Sequence, residues 1–230
     1  EDFDFELRVK AVLRRHVVER CIYGVDLDPL AVELCRLALW IETLDRYLPF
    51  SFIDHKIKCG NSLLGTWFDQ FQHYPVMAWK NREAGDKNHN NGIHYKKGAG
   101  TKEIKLFAGG RLQEDLQNYL TGQTILEGIS QQQESYILLH EKVHKSLELI
   151  HSLPVHESKQ RALLYEKLIK SQDWCKLKQA FDQWCSCWFW PTDKLDIAPM
   201  PSSFSNPTDD TLKVIDEISD EKQFFHWELE

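Results

Sequence analysis

Residues 21–34 constrain what this chain can fold into more than any other stretch. Cys21-Ile22-Tyr23-Gly24-Val25-Asp26 is short, apolar and carries β-branched and aromatic side chains, which suits a strand buried in a parallel sheet. Asp28 then supplies a helix N-cap, and Pro29 fits the first helical position, where no amide hydrogen is missed. Leu30, Leu34, Leu37, Ile41, Leu44 and Leu48 follow at alternating steps of four and three, which lines one face of a helix. Pro49 marks the helix end, and Ile57-Lys58-Cys59 running into Gly60-Asn61 reads as a second strand and turn. Strand, helix and strand in this order make half of a doubly wound α/β sheet, with a further helical stripe ahead of it at Phe5, Val9, Val12 and Leu13.

The rest of the chain divides by pattern. Residues 1–68 form the partial α/β half, and 69–110 read as a long polar loop, with Asn88, Asn90, Asn91 and Gly92 before Lys96-Lys97-Gly98-Ala99-Gly100. Residues 111–190 turn helical. Ile125, Ile129, Tyr136, Leu139, Val143, Leu147 and Ile150 suit one long amphipathic helix, and Trp174, Leu177, Phe181, Trp184 and Trp188 make a second stripe. At helical spacing these tryptophans read as core. Residues 191–208 hold Pro191, Pro199, Pro201 and Pro207 and read as a linker, and a short helix from 212 to 218 begins a closing segment, 209–230.

With 230 residues, 42% hydrophobic and 27% charged, the chain has the composition of an ordinary globular protein and is neither collagenous nor mostly disordered. No apolar run approaches the roughly 20 residues of a membrane span, and the acidic start Glu1-Asp2-Phe3-Asp4 is unlike a secretory signal, so a cytoplasmic, membrane-free protein is expected. The net charge of -7 argues against a freestanding nucleic-acid binder but leaves room for one basic face. Six cysteines without framework spacing read as reduced thiols, mostly packed as small hydrophobes, and not as a metal site.

Two places carry recognisable chemistry. His140-Glu141-Lys142-Val143-His144 fits the zinc-protease pattern in which two histidines one turn apart bind metal beside a general-base Glu, with Glu166 as a possible third ligand. A histidine-rich amphipathic helix produces the same pattern by composition, and Glu141 with Lys145 reads as an ordinary i,i+4 surface pair. The second place is Asp26. An acidic side chain at a strand end can accept hydrogen bonds from both vicinal hydroxyls of a ribose, although such residues also serve as turn or cap residues.

Ile22-Tyr23-Gly24-Val25-Asp26-Leu27-Asp28-Pro29-Leu30 running into Leu39-Trp40 resembles the cofactor segment of the adenine-modifying, amino-group DNA methyltransferases of type IIG-like restriction-modification and phage-defence enzymes. Four more blocks follow in the same order: Leu48-Pro49-Phe50-Ser51-Phe52-Ile53-Asp54-His55, Lys58-Cys59-Gly60-Asn61-Ser62-Leu63-Leu64-Gly65, Phe181-Asp182-Gln183-Trp184-Cys185 with Trp188-Phe189-Trp190-Pro191, and Phe225-His226-Trp227-Glu228-Leu229-Glu230. The resemblance implies part of a Rossmann-like, S-adenosylmethionine-dependent methyltransferase sheet with a large, mainly helical insertion at 111–190. It implies that Asp26 holds the cofactor ribose with Leu27 beside the adenine ring, and that Asn61, with Ser62 next to it, faces the adenine amino group. The partner it implies is double-stranded DNA.

The family's Gly-rich first motif and its Asn-Pro-Pro-aromatic tetrapeptide are not in these residues; Asn206-Pro207-Thr208 lacks the second proline and the aromatic. The expectation is therefore an internal fragment of the enzyme, with no catalytic residue of its own and inactive in isolation. The competing reading is a DNA- or protein-interaction module without catalysis, built on the tryptophan-rich helix at 174–190 and the lysines between 96 and 105.

Overall fold

The computed structural model of the chain describes residues 2–43, 56–71, 73–79, 101–123, 128–154 and 157–230. Strands β1 (Gly24–Asp26) and β2 (Ile57–Cys59) pair in parallel, with Gly24 opposite Ile57, Val25 opposite Lys58 and Asp26 opposite Cys59. The crossover between them contains α2 (Pro29–Glu42), which starts as its sequence requires: the Asp28 carboxylate accepts the Leu30 N–H at 2.9 Å. Helix α1 (Asp2–Cys21) runs to Cys21, so β1 begins three residues later than the apolar run suggests. The last turn of α1 is held because Glu19, fully buried, pairs with Arg15 at 2.8 Å and with Arg161 at 3.0 Å.

The leucine stripe of α2 does not form the core. Leu30, Leu34, Leu37 and Ile41 are 49–64% exposed, while Val32, nearly half a turn round from Leu34, is buried against Val18 and Ile57 with Leu39 and Trp40 beside it. Leu44 and Leu48 lie outside the described residues. Among the described residues, then, the sheet is two strands wide and the molecule is mostly helical.

The stretch expected to be a polar loop is partly helical. It contains α3 (Phe68–Phe71), a 3-10 turn at Val76–Trp79, and α4 (Thr101–Gly109), in which Ile104 and Phe107, one turn apart, are buried. Those two side chains supply the apolar face that the lysine and glycine content masks. The asparagines at 88–91 and the lysines at 96 and 97 lie outside the described residues.

Helices α5 (Arg111–Gln123), α6 (Gly128–Ser152), α7 (Ser158–Ile169) and α8 (Gln172–Ser186) make up the region expected to be helical. The expected long helix is α6, whose Val143, Leu147 and Ile150 are buried; Ile125 lies outside the described residues. Helix α8, capped by the Ser171 hydroxyl on the Trp174 N–H, runs between two apolar cores. Leu177 and Phe181 enter the core shared with α6 and α7, and Cys185 enters the one shared with α9 (Asp209–Lys222).

Residues 191–208 are not a linker. They descend through short 3-10 turns with Ala198, Met200 and Pro201 buried, and their carbonyls at 197 and 199 accept from Thr211 and Tyr74. The prolines end helices, but they are apolar and preset extended backbone, so the segment lines a core instead of leaving it. The cysteines also differ from expectation: Cys185 and Cys187 are buried, whereas Cys21, Cys35, Cys59 and Cys175 are exposed.

Candidate functional site at the carboxyl end of the sheet

The parallel register brings Asp26 and the turn after β2 to the same end of the sheet. The Gly60 N–H donates to the Asp26 carbonyl at 2.9 Å, which fixes residue 61 one step from the end of β1. Asp26 is exposed. Its Oδ1 accepts the Asp28 N–H at 2.8 Å, so it is a turn residue, and among the described residues Oδ2 has no protein donor. The turn reading of an aspartate at a strand end therefore holds here through one oxygen, while the residue itself stays exposed. Leu27 is 54% exposed, and its carbonyl is approached by the Cys59 thiol at 3.6 Å.

Asn61 is half-buried and more constrained. Its N–H donates to the Gln223 carbonyl at 2.7 Å, and its Oδ1 accepts the Leu63 N–H at 3.1 Å. Among the described residues, one lone pair of Oδ1 and the Nδ2 donors have no protein partner. Ser62 is exposed, and its carbonyl accepts the Trp227 indole N–H at 3.2 Å. The structure thus brings Asp26, Leu27, Asn61 and Ser62, the four residues the resemblance singles out, to one end of the sheet.

Residues 223–230 and α8 lock this loop from behind. Phe225 N–H donates to the Leu64 carbonyl at 2.8 Å, and Asn61 and Phe224 form a parallel bridge. Gly65 is obligatory, because a Cβ there would lie 2.1 Å from the Phe225 carbonyl oxygen. His226 is buried, accepts the Thr66 N–H on Nδ1 at 3.2 Å, and so carries its proton on Nε2, 2.9 Å from Asp182 Oδ1. Burial pushes the Asp182 carboxyl upward. The His226 hydrogen bond and the Lys178 ammonium at 2.5 Å outweigh that and hold it below the usual carboxylate range. Glu228 accepts the Phe68 N–H at 2.6 Å, and Trp174 donates to the Leu229 carbonyl at 3.2 Å.

None of these partners could be paired from sequence, since Asp182 and His226 are 44 residues apart and Thr66 and His226 are 160 apart. What the sequence does contain is the membership of Asp182 and His226 in two of the ordered blocks, and those two blocks meet here. A further link joins Lys58 of β2 to α7: its Nζ donates to the Tyr165 hydroxyl at 2.6 Å, and Tyr165 donates to Glu230. At the opposite end of β2, Lys56 is buried with its Nζ 3.7 Å above the Tyr23 ring. Burial, then Arg161 and Arg20, lower its pKa to about 8, with Glu19 acting the other way.

The His-Glu-x-x-His pattern is a packing feature. His140 stacks on Phe68 with ring centroids 4.2 Å apart, His144 faces Glu148 at 3.4 Å, and Glu166 pairs with Lys170 at 2.5 Å. Glu141 pairs with Lys145 at 3.8 Å. Among the described residues no three potential metal ligands converge. The tryptophans of α8 are likewise structural: Trp174 and Trp184 spend their indole N–H groups on the carbonyls of Leu229 and His73.

The family model for the Eco57I restriction-modification methylase matches residues 20–228. The chain belongs to that family. A Methanocaldococcus jannaschii protein named as a type II restriction enzyme and methyltransferase is 41% identical over 58 residues, 21% of this chain. The matched stretch is 5% of that relative's length. No solved structure matches the chain. Among the described residues no helix is long and apolar enough to cross a membrane.

Proposed function

We propose that this chain is the cofactor-side part of an S-adenosylmethionine-dependent DNA methyltransferase that modifies the amino group of adenine at N6. The observation that carries the reading is the juxtaposition of Asp26 and Asn61 at the carboxyl end of a parallel βαβ unit, the place where open α/β sheets hold nucleotide-type ligands. The residues fit the group. Asp26 Oδ2 is left for ribose hydroxyls, Leu27 offers an exposed apolar surface beside it, and Asn61 keeps one acceptor lone pair for the adenine amino group and Nδ2 donors for a ring nitrogen. When bound, the cofactor supplies the methyl group to the attacking amino nitrogen of an extruded base; the work of these residues is to bind and orient it.

The partner in this reading is double-stranded DNA, the setting is cytoplasmic, and the wider fold is a Rossmann-like sheet of which β1 and β2 are two strands. The exposed apolar faces of α1 and α2 support that last point, because helices flanking a wider sheet would be covered there.

The test is calorimetric titration of the full-length protein with S-adenosylhomocysteine, together with mass spectrometry of its methylated DNA. Asp26→Ala removes a charged acceptor and should weaken binding ten- to a hundredfold, the equivalent of about 1.5–3 kcal/mol. Unchanged affinity in that variant, or methylation on cytosine, overturns the reading.

A further inference from the structure

The loop after β2 presents more than polar groups. Trp227 opens a 3-10 turn (Trp227–Leu229) and is 40% exposed, while Trp79 and Trp190 are buried at 1% each. Exposure would mean little on a loose side chain, but this one is fixed. Its indole N–H is held by the Ser62 carbonyl at 3.2 Å, and the Phe225 ring meets it edge-on with centroids 4.9 Å apart. The backbone leading to it is held through Asn61 N–H to the Gln223 carbonyl and Phe225 N–H to the Leu64 carbonyl, and the neighbouring His226 ring accepts the Thr66 N–H. A large ring is thus locked beside Asn61 and Ser62 with two-fifths of its surface uncovered. The same loop carries Leu63, 89% exposed, on a backbone stiffened by the Asn61 side chain.

We infer that Trp227, with Leu63, forms an apolar wall against the adenine ring bound at this end of the sheet. The inference rests on the cofactor reading of Asp26 and Asn61 and adds to it the group that contacts the ring faces. A purine needs polar groups at its edge, which Asn61 offers, and flat apolar surface on its faces. A preordered indole supplies that surface without losing rotamer freedom on binding. The cofactor's adenine is favoured over a flipped DNA base because the tether runs to Ser62, adjacent to the residue that meets the adenine edge.

The experiment uses the full-length protein and three readouts: S-adenosylhomocysteine affinity, ultraviolet photolabelling with the 8-azido analogue of S-adenosylmethionine followed by peptide mapping, and affinity for a duplex with the target adenine mispaired. Trp227→Ala should weaken S-adenosylhomocysteine about tenfold, and Trp227→Phe, which keeps a ring against Phe225, less than threefold. The photolabel should fall on the peptide that contains Trp227. If Trp227→Ala leaves the affinity within twofold while Asp26→Ala weakens binding tenfold or more, the wall is refuted and the cofactor reading stands. If Trp227→Ala weakens only the mispaired duplex, the ring belongs to the target base and the inference is overturned. If Asp26→Ala also has no effect, both fall together. Should Trp227→Ala fail to fold, Trp227→Phe and the photolabel position decide the matter.

Discussion

Helices α2 and α8 carry equally regular apolar stripes, and the structure treats them in opposite ways. In α8, Leu177 and Phe181 are fully buried between two layers of helix. In α2, the four leucine-type positions at 30, 34, 37 and 41 are each about half exposed or more, and the helix meets the sheet through Val32 and Leu39 instead. Periodicity states that a face needs cover; it does not state what covers it. For α8 the cover lies within these residues. For α2 the described residues supply no cover for the leucine face.

That contrast can be broken most sharply at Phe181. Phe181→Ala should cost about 3–5 kcal/mol in urea or thermal unfolding, because the ring is wholly enclosed and touches both Phe71 and His226. A loss under about 1 kcal/mol would mean that α8 is no better covered than α2.

The next test sharpens the comparison at the seam where the α/β part meets α6 and α7, where buried charged groups join a ring contact between Tyr23 and His151. Arg15, Glu19 and Arg161 are buried there, with Arg20 donating to the His151 and Leu153 carbonyls. Lys56 gives up its proton near pH 8 when folded and near its ordinary 10.5 when unfolded, so the unfolded chain holds more protons between those values. Stability should therefore rise with pH from about 8 to 10.5. Lys56→Met removes this cost and should stabilise by at most about 3 kcal/mol below pH 8, with the gain shrinking above it. Unfolding midpoints measured at pH 7 and pH 10 for both proteins check the sign. A variant no more stable than the parent at pH 7 would show that the Tyr23 contact repays the burial.

The smallest effect is expected at α2. In the 230-residue chain alone, Leu34→Ser should change stability by no more than about 0.5 kcal/mol, as exposed positions usually do. A loss of 2 kcal/mol or more would show that the leucine face is already covered.

Sequence reasoning reached the βαβ unit because its signals are local: a strand-ending aspartate, an N-cap followed by proline, and a Gly-Asn turn. The same local signals marked Asp26 as a strand-end carboxylate, whereas Asn61 was singled out only through the family resemblance. It failed at 101–109, where Ile104 and Phe107 carry the helix through a lysine- and glycine-rich surrounding, and at 191–208, where proline marks apolar packing as readily as a linker. It could not reach the lock on the loop, because the pairs Asp182–His226 and Ser62–Trp227 join residues with no common period. Asp182 and Trp227 stood in the sequence as members of ordered blocks, but nothing there assigned them a partner.

The lock also has a kinetic meaning. Thr66 and Phe68 take their partners from residues 226 and 228, each 160 positions later in the chain. Closing so large a loop by chance encounter is entropically unfavourable until the intervening helices have collapsed and brought its ends together. The loop after β2 should thus be among the last parts to reach its final shape during synthesis, after α4 to α9 have emerged and packed. A ribosome halted before residue 224 would carry β1 and β2 with the turn after them still unfastened.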